Sequence, residues 1–336
     1  MPPFPNRLRA VAASLAVAAG LLTAIVSPVG ATYPGATNGQ LALGIKDADG
    51  NGQINVVEPD GTGVKALTSG AFNHLCAAYS ADGTRIAYCS NTSGAFEIWT
   101  MASDGTGQAQ LTHLGAFATF PDFSPDGSLV AFGGTQATDT HNEILTVDTA
   151  TGGKVTALTS CANLKPGCSN DFPAWSPDGT RIAWIHVDEA DADGNATSSQ
   201  VWVMDADGGN AHALTTDASI KDQLPDWSPD GSLIAYEGGP GGSGGIWVMN
   251  ADGSDPHQLT GCAATDPSPC ATGADGGPAW SPDGQQIAFL HFPADDDADR
   301  PVMVMNADGT DVHRVIAGPT INYVPAWQPL GVAPAS

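Results

Sequence analysis

The apolar residues of this chain fall in short runs punctuated by SPDG and DG turns, and the whole arrangement repeats. AYSADGTRIAY at Ala78 recurs as DFSPDGSLVAF at Asp122, AWSPDGTRIAW at Ala174, DWSPDGSLIAY at Asp226 and AWSPDGQQIAF at Ala279, and a truncated copy, AWQPL, begins at Ala326. Each full copy is followed by an apolar strand and a DG turn, as in IWTMASDG at Ile98, VWVMDADG at Val201, IWVMNADG at Ile246 and VMVMNADG at Val302, with a weaker ILTVDTATGG at Ile144. A short strand then ends in Leu-Thr at Leu111, Leu158, Leu214 and Leu259, or in Val315-Ile316 in the last copy. The pattern predicts four strands per unit.

In S-P-D-G the proline sits at the second turn position, where its fixed φ is already suitable, and the glycine where φ must be positive, so each copy is a hairpin turn. Runs such as IWVM and VWVM are apolar on consecutive residues, which buries both faces of the strand, as when one sheet is packed between two others. Small four-stranded sheets stacked in this way at a period of about 40 to 50 residues describe propeller blades. Residues 41–45, 54–58 and 64–67 supply the second, third and fourth strands of a blade that lacks an innermost strand, and residues 326–328 form an innermost strand that lacks a blade. The expected fold is all-β: a six-bladed β-propeller of four-stranded antiparallel blades, its ring closed by N- and C-terminal strands that share one blade. The expected layout is a signal peptide over 1–31, a linker over 32–40, the propeller over 41–329 and a tail over 330–336.

The repeated WSPDG-x-x-IAF, then IWVMNADG, then Leu-Thr, resembles the WD40-like repeat of TolB-type β-propellers, and the resemblance covers nearly all of the chain after residue 31. It implies a propeller that binds proteins or carbohydrates, sometimes as an appendage to an enzyme. The chain departs from the envelope protein of that name in having no α/β domain ahead of the propeller, so a role in the Tol-Pal system is not expected. No hydrolase segment is expected after Ala326, so a peptidase of the propeller-plus-hydrolase kind is not expected either.

Composition narrows the partners. The 336 residues carry 11 Lys and Arg against 36 Asp and Glu, a formal net charge of −25. Nucleic acids and anionic membranes are bound through clustered basic residues, so neither is an expected partner. Arg7 and Arg9 precede an apolar run over residues 10–26 that ends in Ser27-Pro28-Val29-Gly30-Ala31, the anatomy of a secretory signal cleaved after Ala31. The run is also long enough for an uncleaved anchor; once the signal is cleaved, no stable membrane insertion is expected. Export permits disulfides. Cys76 and Cys89 flank a turn centred on Asp82-Gly83 and would face each other across the hairpin, Cys161 and Cys168 share one loop, and Cys262 and Cys270 share another, so three local bridges are expected.

Several constellations carry candidate chemistry. The SPDG serines and aspartates recur too often to be active sites and read as turn residues. Asp47-Ala48-Asp49-Gly50-Asn51-Gly52-Gln53-Ile54 followed by Glu58 spells a twelve-position calcium loop. Residues 54–58 read as a strand rising about 3.3 Å per residue, which carries Glu58 some ~13 Å away. Asp47, Asp49, Asn51 and the Gln53 carbonyl remain calcium candidates, with a plain acidic turn as the alternative. Acidic loops over 188–195 and 295–299 occupy the same place in two other blades, and with the cysteine loops they mark one face as the functional one. Aligning the innermost strands brings polar residues to the channel mouth on that face, and His74, Asn170, Asp171, Asp222, Gln223, Asp275, Asn322 and Tyr323 are the expected binding residues. His186 and His291 occupy equivalent places in two blades. With His74 they could form a transition-metal site, or each could simply be hydrogen-bonded at a strand end. The function expected is that of an exported, monomeric, non-catalytic scaffold for a protein or carbohydrate ligand of the cell envelope or extracellular space, stabilised by calcium if the Asp47 loop binds it. The alternative is a metal-dependent polysaccharide lyase or hydrolase acting in the channel.

Overall fold

A computed structural model describes residues 36–331 apart from 137–140, 162–167, 188–197, 217–222, 239–243, 262–272, 294–299 and 317–320, and for 321–324 describes the backbone alone. The signal segment, Asp222, the Cys262 and Cys270 pair, and the acidic loops over 188–195 and 295–299 lie outside the described residues.

The strands form six four-stranded antiparallel sheets, each ordered from the innermost strand outward. Blade 1 contains Ile321–Leu330, Thr37–Lys46, Gly52–Val57 and Lys65–Ala66, and blade 2 contains His74–Tyr79, Arg85–Ser90, Glu97–Ala102 and Ala109–Gln110. Blade 3 contains Phe117–Phe123, Leu129–Thr135, Glu143–Asp148 and Thr156–Ala157, and blade 4 contains Ser169–Trp175, Arg181–Val187, Gln200–Asp205 and His212–Ala213. Blade 5 contains Gln223–Trp227, Leu233–Gly238, Gly245–Asn250 and His257–Gln258, and blade 6 contains Gly273–Trp280, Gln286–Pro293, Val302–Asn306 and His313–Ile316. The ring closes as the repeat predicts: Leu41 pairs with Trp327 and Ala42 with Ala326, antiparallel, across the two ends of the chain. The second strand of blade 1 begins at Thr37, inside the stretch assigned to a linker, and its partner runs to Leu330.

The two signature motifs are latches made of hydroxyls. In the first SPDG-type turn the Ser80 hydroxyl donates to Asp82 Oδ1 at 2.7 Å and accepts the Arg85 N–H at 3.0 Å, while Asp82 Oδ1 also accepts the Thr84 N–H. Gly83 has a φ of +66°, as the hairpin requires. The Ser-to-Asp bond recurs at Ser124, Ser176, Ser228 and Ser281. The threonine of each Leu-Thr does the second job: Thr68, Thr112, Thr159, Thr215 and Thr260 accept the N–H of Ile54, Ile98, Ile144, Val201 and Ile246, tying the end of the outer strand to the start of the third.

Blades are joined by apolar seams and by latches that alternate around part of the ring. At the seam of blades 2 and 3 Arg85 stacks over Phe123 at 4.9 Å and donates to the Gly127 carbonyl, and at blades 4 and 5 Arg181 stacks over Trp227 at 4.5 Å. At blades 3 and 4 the buried Asp122 carboxylate accepts the Trp175 N–H at 2.7 Å, and at blades 5 and 6 Asp226 does the same for Trp280. Gln328 of blade 1 donates to the Gly83 carbonyl of blade 2, across the ring closure.

One feature of the innermost strands departs from the sequence reading. A bulge interrupts the register of each, and the residue before the proline position turns left-handed: Cys76, Phe120, Phe172 and Leu224 have φ between 55° and 58°, and Gly277 has 63°. The bulge shifts Cys89 opposite Leu75 rather than Cys76, so the two cysteines are not directly opposed as expected. The left-handed turn brings Cys76 to Cys89 all the same, and both Cys76–Cys89 and Cys161–Cys168 are bridged.

Replacing Thr112 with Val should remove the acceptor for the Ile98 N–H and the hydroxyl that donates to the buried Glu97 carboxylate. The expected loss is about 1 to 3 kcal/mol in urea denaturation, with the slope of the transition unchanged. A variant as stable as the parent would show the Leu-Thr latch to be dispensable.

Candidate functional site at the channel mouth

The left-handed bulges decide what the channel looks like. They place bulky side chains from successive blades against one another: the Phe120 and Phe172 rings stand 4.2 Å apart, and Phe172 also packs against the apolar clusters that contain Leu224 and the cores of blades 4 and 6. Phe120 and Leu224 are buried, whereas Phe172 is part-exposed. The channel therefore carries an apolar plug beneath its polar mouth, formed by residues that the sequence reading passed over. Their signal is in the sequence as a bulky residue immediately before the proline, where strict alternation breaks.

Above the plug, the polar positions divide into two groups. In blades 3 and 4 they are bonded to one another. Glu143 accepts the Thr159 hydroxyl, the Cys161 N–H and the Asn170 amide, and Asn170 in turn accepts the Trp184 indole N–H at 2.9 Å and lies 2.8 Å from His186 Nδ1. Asp171 accepts the Ser169 hydroxyl at 2.7 Å and the Asn142 amide. Burial, opposed by those two donors and reinforced by the nearby Glu143 charge, pushes its carboxyl up to about 6. Asn170 and Asp171 thus face inward, toward neighbouring strands. His74 is also buried, its ring 5.8 Å from that of Tyr88, and burial lowers its affinity for a proton.

In blades 5 and 6 the polar groups stay partly open. Asp275 Oδ1 lies 2.7 Å from His291 Nδ1, with side chains 14% and 26% exposed. Glu237, a residue that the sequence reading missed, reaches across the seam and accepts the Gly277 N–H; burial, then the Asp275 charge, raise its carboxyl to about 7. Its signal was a lone carboxylate in a column occupied elsewhere by Cys89, Gly133, Ile185 and Leu290. Gln223 pairs with Glu237 across the strands. The backbone of Asn322 and Tyr323 belongs to the innermost strand of blade 1.

His186 and His291 do hold equivalent places, each opposite the polar residue of its own innermost strand, but the three histidines are not brought together. Among the described residues no group of three His, Cys, Asp or Glu side chains is arranged to hold a metal ion. At the Asp47 turn one carboxylate oxygen accepts the N–H groups of Asp49 and Asn51 and the other accepts the Gln53 amide, while the Gln53 carbonyl accepts the Asn55 amide.

Residues 34–184 match the family model of the TolB beta propeller domain. A TolB homolog of Chlorobium chlorochromatii is 31% identical over 171 residues, 51% of this chain and 35% of that protein. Over these residues the chain resembles TolB-type β-propellers. The crystal structure of TolB from Acinetobacter baumannii superposes with a TM-score of 0.68 at 21% identity, over 88% of this chain and 68% of that one. An oligogalacturonate lyase solved with manganese shares the fold at a TM-score of 0.51 and 14% identity, over 85% of this chain and 75% of that one. The chain spans about half or less of the length of the curated relatives it matches first. No helix among its described residues is long and apolar enough to cross a membrane.

Two sets of carboxyls in the propeller have opposite pH dependence. Asp60, Asp104, Asp126, Asp230, Asp252 and Asp308 each accept a Ser or Thr hydroxyl two residues away, and then a backbone N–H, which holds them below the ordinary carboxylate value. They stabilise the fold above the unfolded-state value of about 4 and stop doing so as pH falls through their folded values. Asp171 and Glu237 are raised, so they favour the fold while protonated and lose that contribution as pH climbs from about 4 through their folded values of about 6 and about 7. The melting temperature is expected to peak near pH ~4 to ~5 and to decline on both sides. The double variant Asp171→Asn, Glu237→Gln should flatten the neutral-side decline, and a parent curve that rises steadily to pH ~8 would contradict the assignment.

Proposed function

We propose that this TolB-like propeller is an extracytoplasmic protein-binding module that presents its channel mouth, and above all the open sector over blades 5 and 6, to its partner. The observation that carries this reading is the contrast between sectors. In blades 3 and 4 the polar groups serve one another, whereas Glu237, Asp275 and His291 remain part-exposed at the mouth. The TolB-like repeat supports a binding or scaffold role, and the two disulfides suit an oxidising compartment. Calcium would enter as a stabiliser of the Asp47 turn, with Asp47, Asp49 and Asn51 as its oxygens. A rise in melting temperature on adding calcium that Asp49→Ala abolishes is its expected mark.

A photo-crosslinking residue placed at Gln223 is expected to yield a discrete adduct from an envelope extract, while the same residue at Asp126, on an SPDG turn, yields none. Adducts from both positions alike, or from neither, would remove the mouth as the binding surface. Release of an unsaturated product from oligogalacturonate in the presence of manganese would replace the binding reading with that of a lyase.

A further inference from the structure

One row of side chains at the mouth carries hydrogen-bonding groups that the fold does not use. In blade 4 the corresponding row is closed by an amide: the Asn170 side-chain oxygen accepts the Trp184 N–H at 2.9 Å and lies 2.8 Å from His186 Nδ1, while its nitrogen donates to Glu143. Strand register puts His74 of blade 2 in the place of Asn170, Tyr88 in that of Trp184, Ser90 in that of His186 and Trp99 in that of Trp202. The amide is missing there, and the Ser90 hydroxyl is bonded to that of Thr92. His74 is 7% exposed and Tyr88 is wholly buried, with their rings 5.8 Å apart. His74 Nδ1, the Tyr88 hydroxyl and the Trp99 indole N–H are all enclosed, on three successive strands, and have no partner among the described residues. Tyr88 and Trp99 are directly paired, so they share the sheet face that packs on Ala42, Ile54 and Val56 of blade 1. Leaving buried polar atoms unmet is costly, and a group that meets them gains what the fold forgoes.

The surroundings narrow the class of that group. Burial alone shifts the two titratable members, lowering the proton affinity of His74 and raising that of Tyr88, with no charged neighbour contributing. Residues 67–76, 89–98 and 111–120, the mouth segments of this sector, hold one charged residue, Glu97, which is buried and accepts from Thr112 and Gly115. A cation would find no free counter-charge in these segments, and an anion would meet the net charge of −25. An uncharged carboxamide matches, because its oxygen accepts from the donors of the row as that of Asn170 does in blade 4.

We propose that this row binds the side-chain amide of an asparagine or glutamine of the partner protein, which enters from the channel beside His74 and accepts the Tyr88 O–H, in the place that Asn170 fills in blade 4. The proposal rests on the protein-binding reading above. It adds a second contact on the far side of the mouth, because blade 2 stands across the ring from blade 5. His74 lies on the innermost strand, so the row meets the channel there. The group that completes the row in blade 4 is itself an asparagine side chain, which favours a protein occupant over the acetamido group of an amino sugar.

The test uses the full chain and two Gly/Ser peptides, one with a single central glutamine and one with norleucine, which has a similar length and no amide. Dissociation constants are measured by ligand-detected NMR. The glutamine peptide should bind about tenfold more tightly, the worth of one or two net hydrogen bonds. Tyr88→Phe keeps the ring and removes one unmet hydroxyl, so it should fold at least as stably as the parent and lose the preference. His74→Asn supplies the blade 4 amide from within, so it should raise the melting temperature of the free chain and lose the preference as well. Equal binding of the two peptides by the parent, or a preference that survives both substitutions, overturns the proposal. Tri-N-acetylchitotriose binding more tightly than the glutamine peptide, and lost in the same two variants, would transfer the site to an amino sugar and overturn the protein occupant. A partner adduct at Gln223 obtained alongside equal peptide binding would leave protein binding standing without this site, whereas its absence would remove both.

Discussion

Each sheet of this propeller is apolar on both faces, and only a closed ring gives every face a partner. Tyr79, Tyr88 and Met101 of blade 2 pack with Ala42, Ile54 and Val56 of blade 1, and the same exchange recurs seam by seam until Leu41 and Leu43 of blade 1 meet Ala288, Leu290 and Val304 of blade 6. At about 25 cal/mol per Å² of apolar surface withdrawn from water, a seam left open would expose two sheet faces at once. The pairing of residues from the two ends of the chain in blade 1 is therefore the contact on which the other seams depend. The outer edges need less protection, because five of the six outermost strands are only two residues long and offer little edge to a foreign strand.

Closure brings six innermost strands together, and the bulge before each proline position settles what happens there. Proline disfavours the right-handed helical region for the residue before it. In blades 3, 4 and 5 that residue goes left-handed, at a cost of about 1 to 3 kcal/mol each. Mutual burial offsets the cost: Phe120 and Phe172 stack, and Leu224 is fully enclosed. Deeper in the same strands, Asp122 and Asp226 are buried carboxyls held by the N–H of the next blade. Burial raises Asp226 well above the ordinary carboxylate range, against the Trp280 N–H and with the help of the Asp122 charge.

The mouth shows how one repeated position takes different work in different blades. The residue three before the proline position is Asn170 in blade 4 and Asp275 in blade 6, and each meets a histidine on the next strand. The difference lies in what surrounds the pair. Asn170 also has Trp184 and Glu143 and is closed off, whereas Asp275 shares its surroundings with the acidic Glu237 and stays partly open. A second carboxylate in place of a second donor leaves the pair at the mouth partly open.

The blade count, the strand order, the shared blade, the hairpin turns and the Cys76–Cys89 and Cys161–Cys168 pairings were legible in the sequence, because each depends on residues within a repeat or on the repeat count itself. The threonine of Leu-Thr was visible as a pattern, and its bond to the third strand explains why the pattern persists. The plug, the inward turn of Asn170 and Asp171, and the reach of Glu237 to Gly277 were decided by the tertiary structure alone. Each depends on which blade stands beside which and on a backbone that leaves the β region at the bulge, so that a side chain counted as facing the channel can instead face a seam. Periodicity of two assigns faces only while the strand remains regular, and it is at the bulge, where regularity fails, that this propeller forms its floor and its mouth.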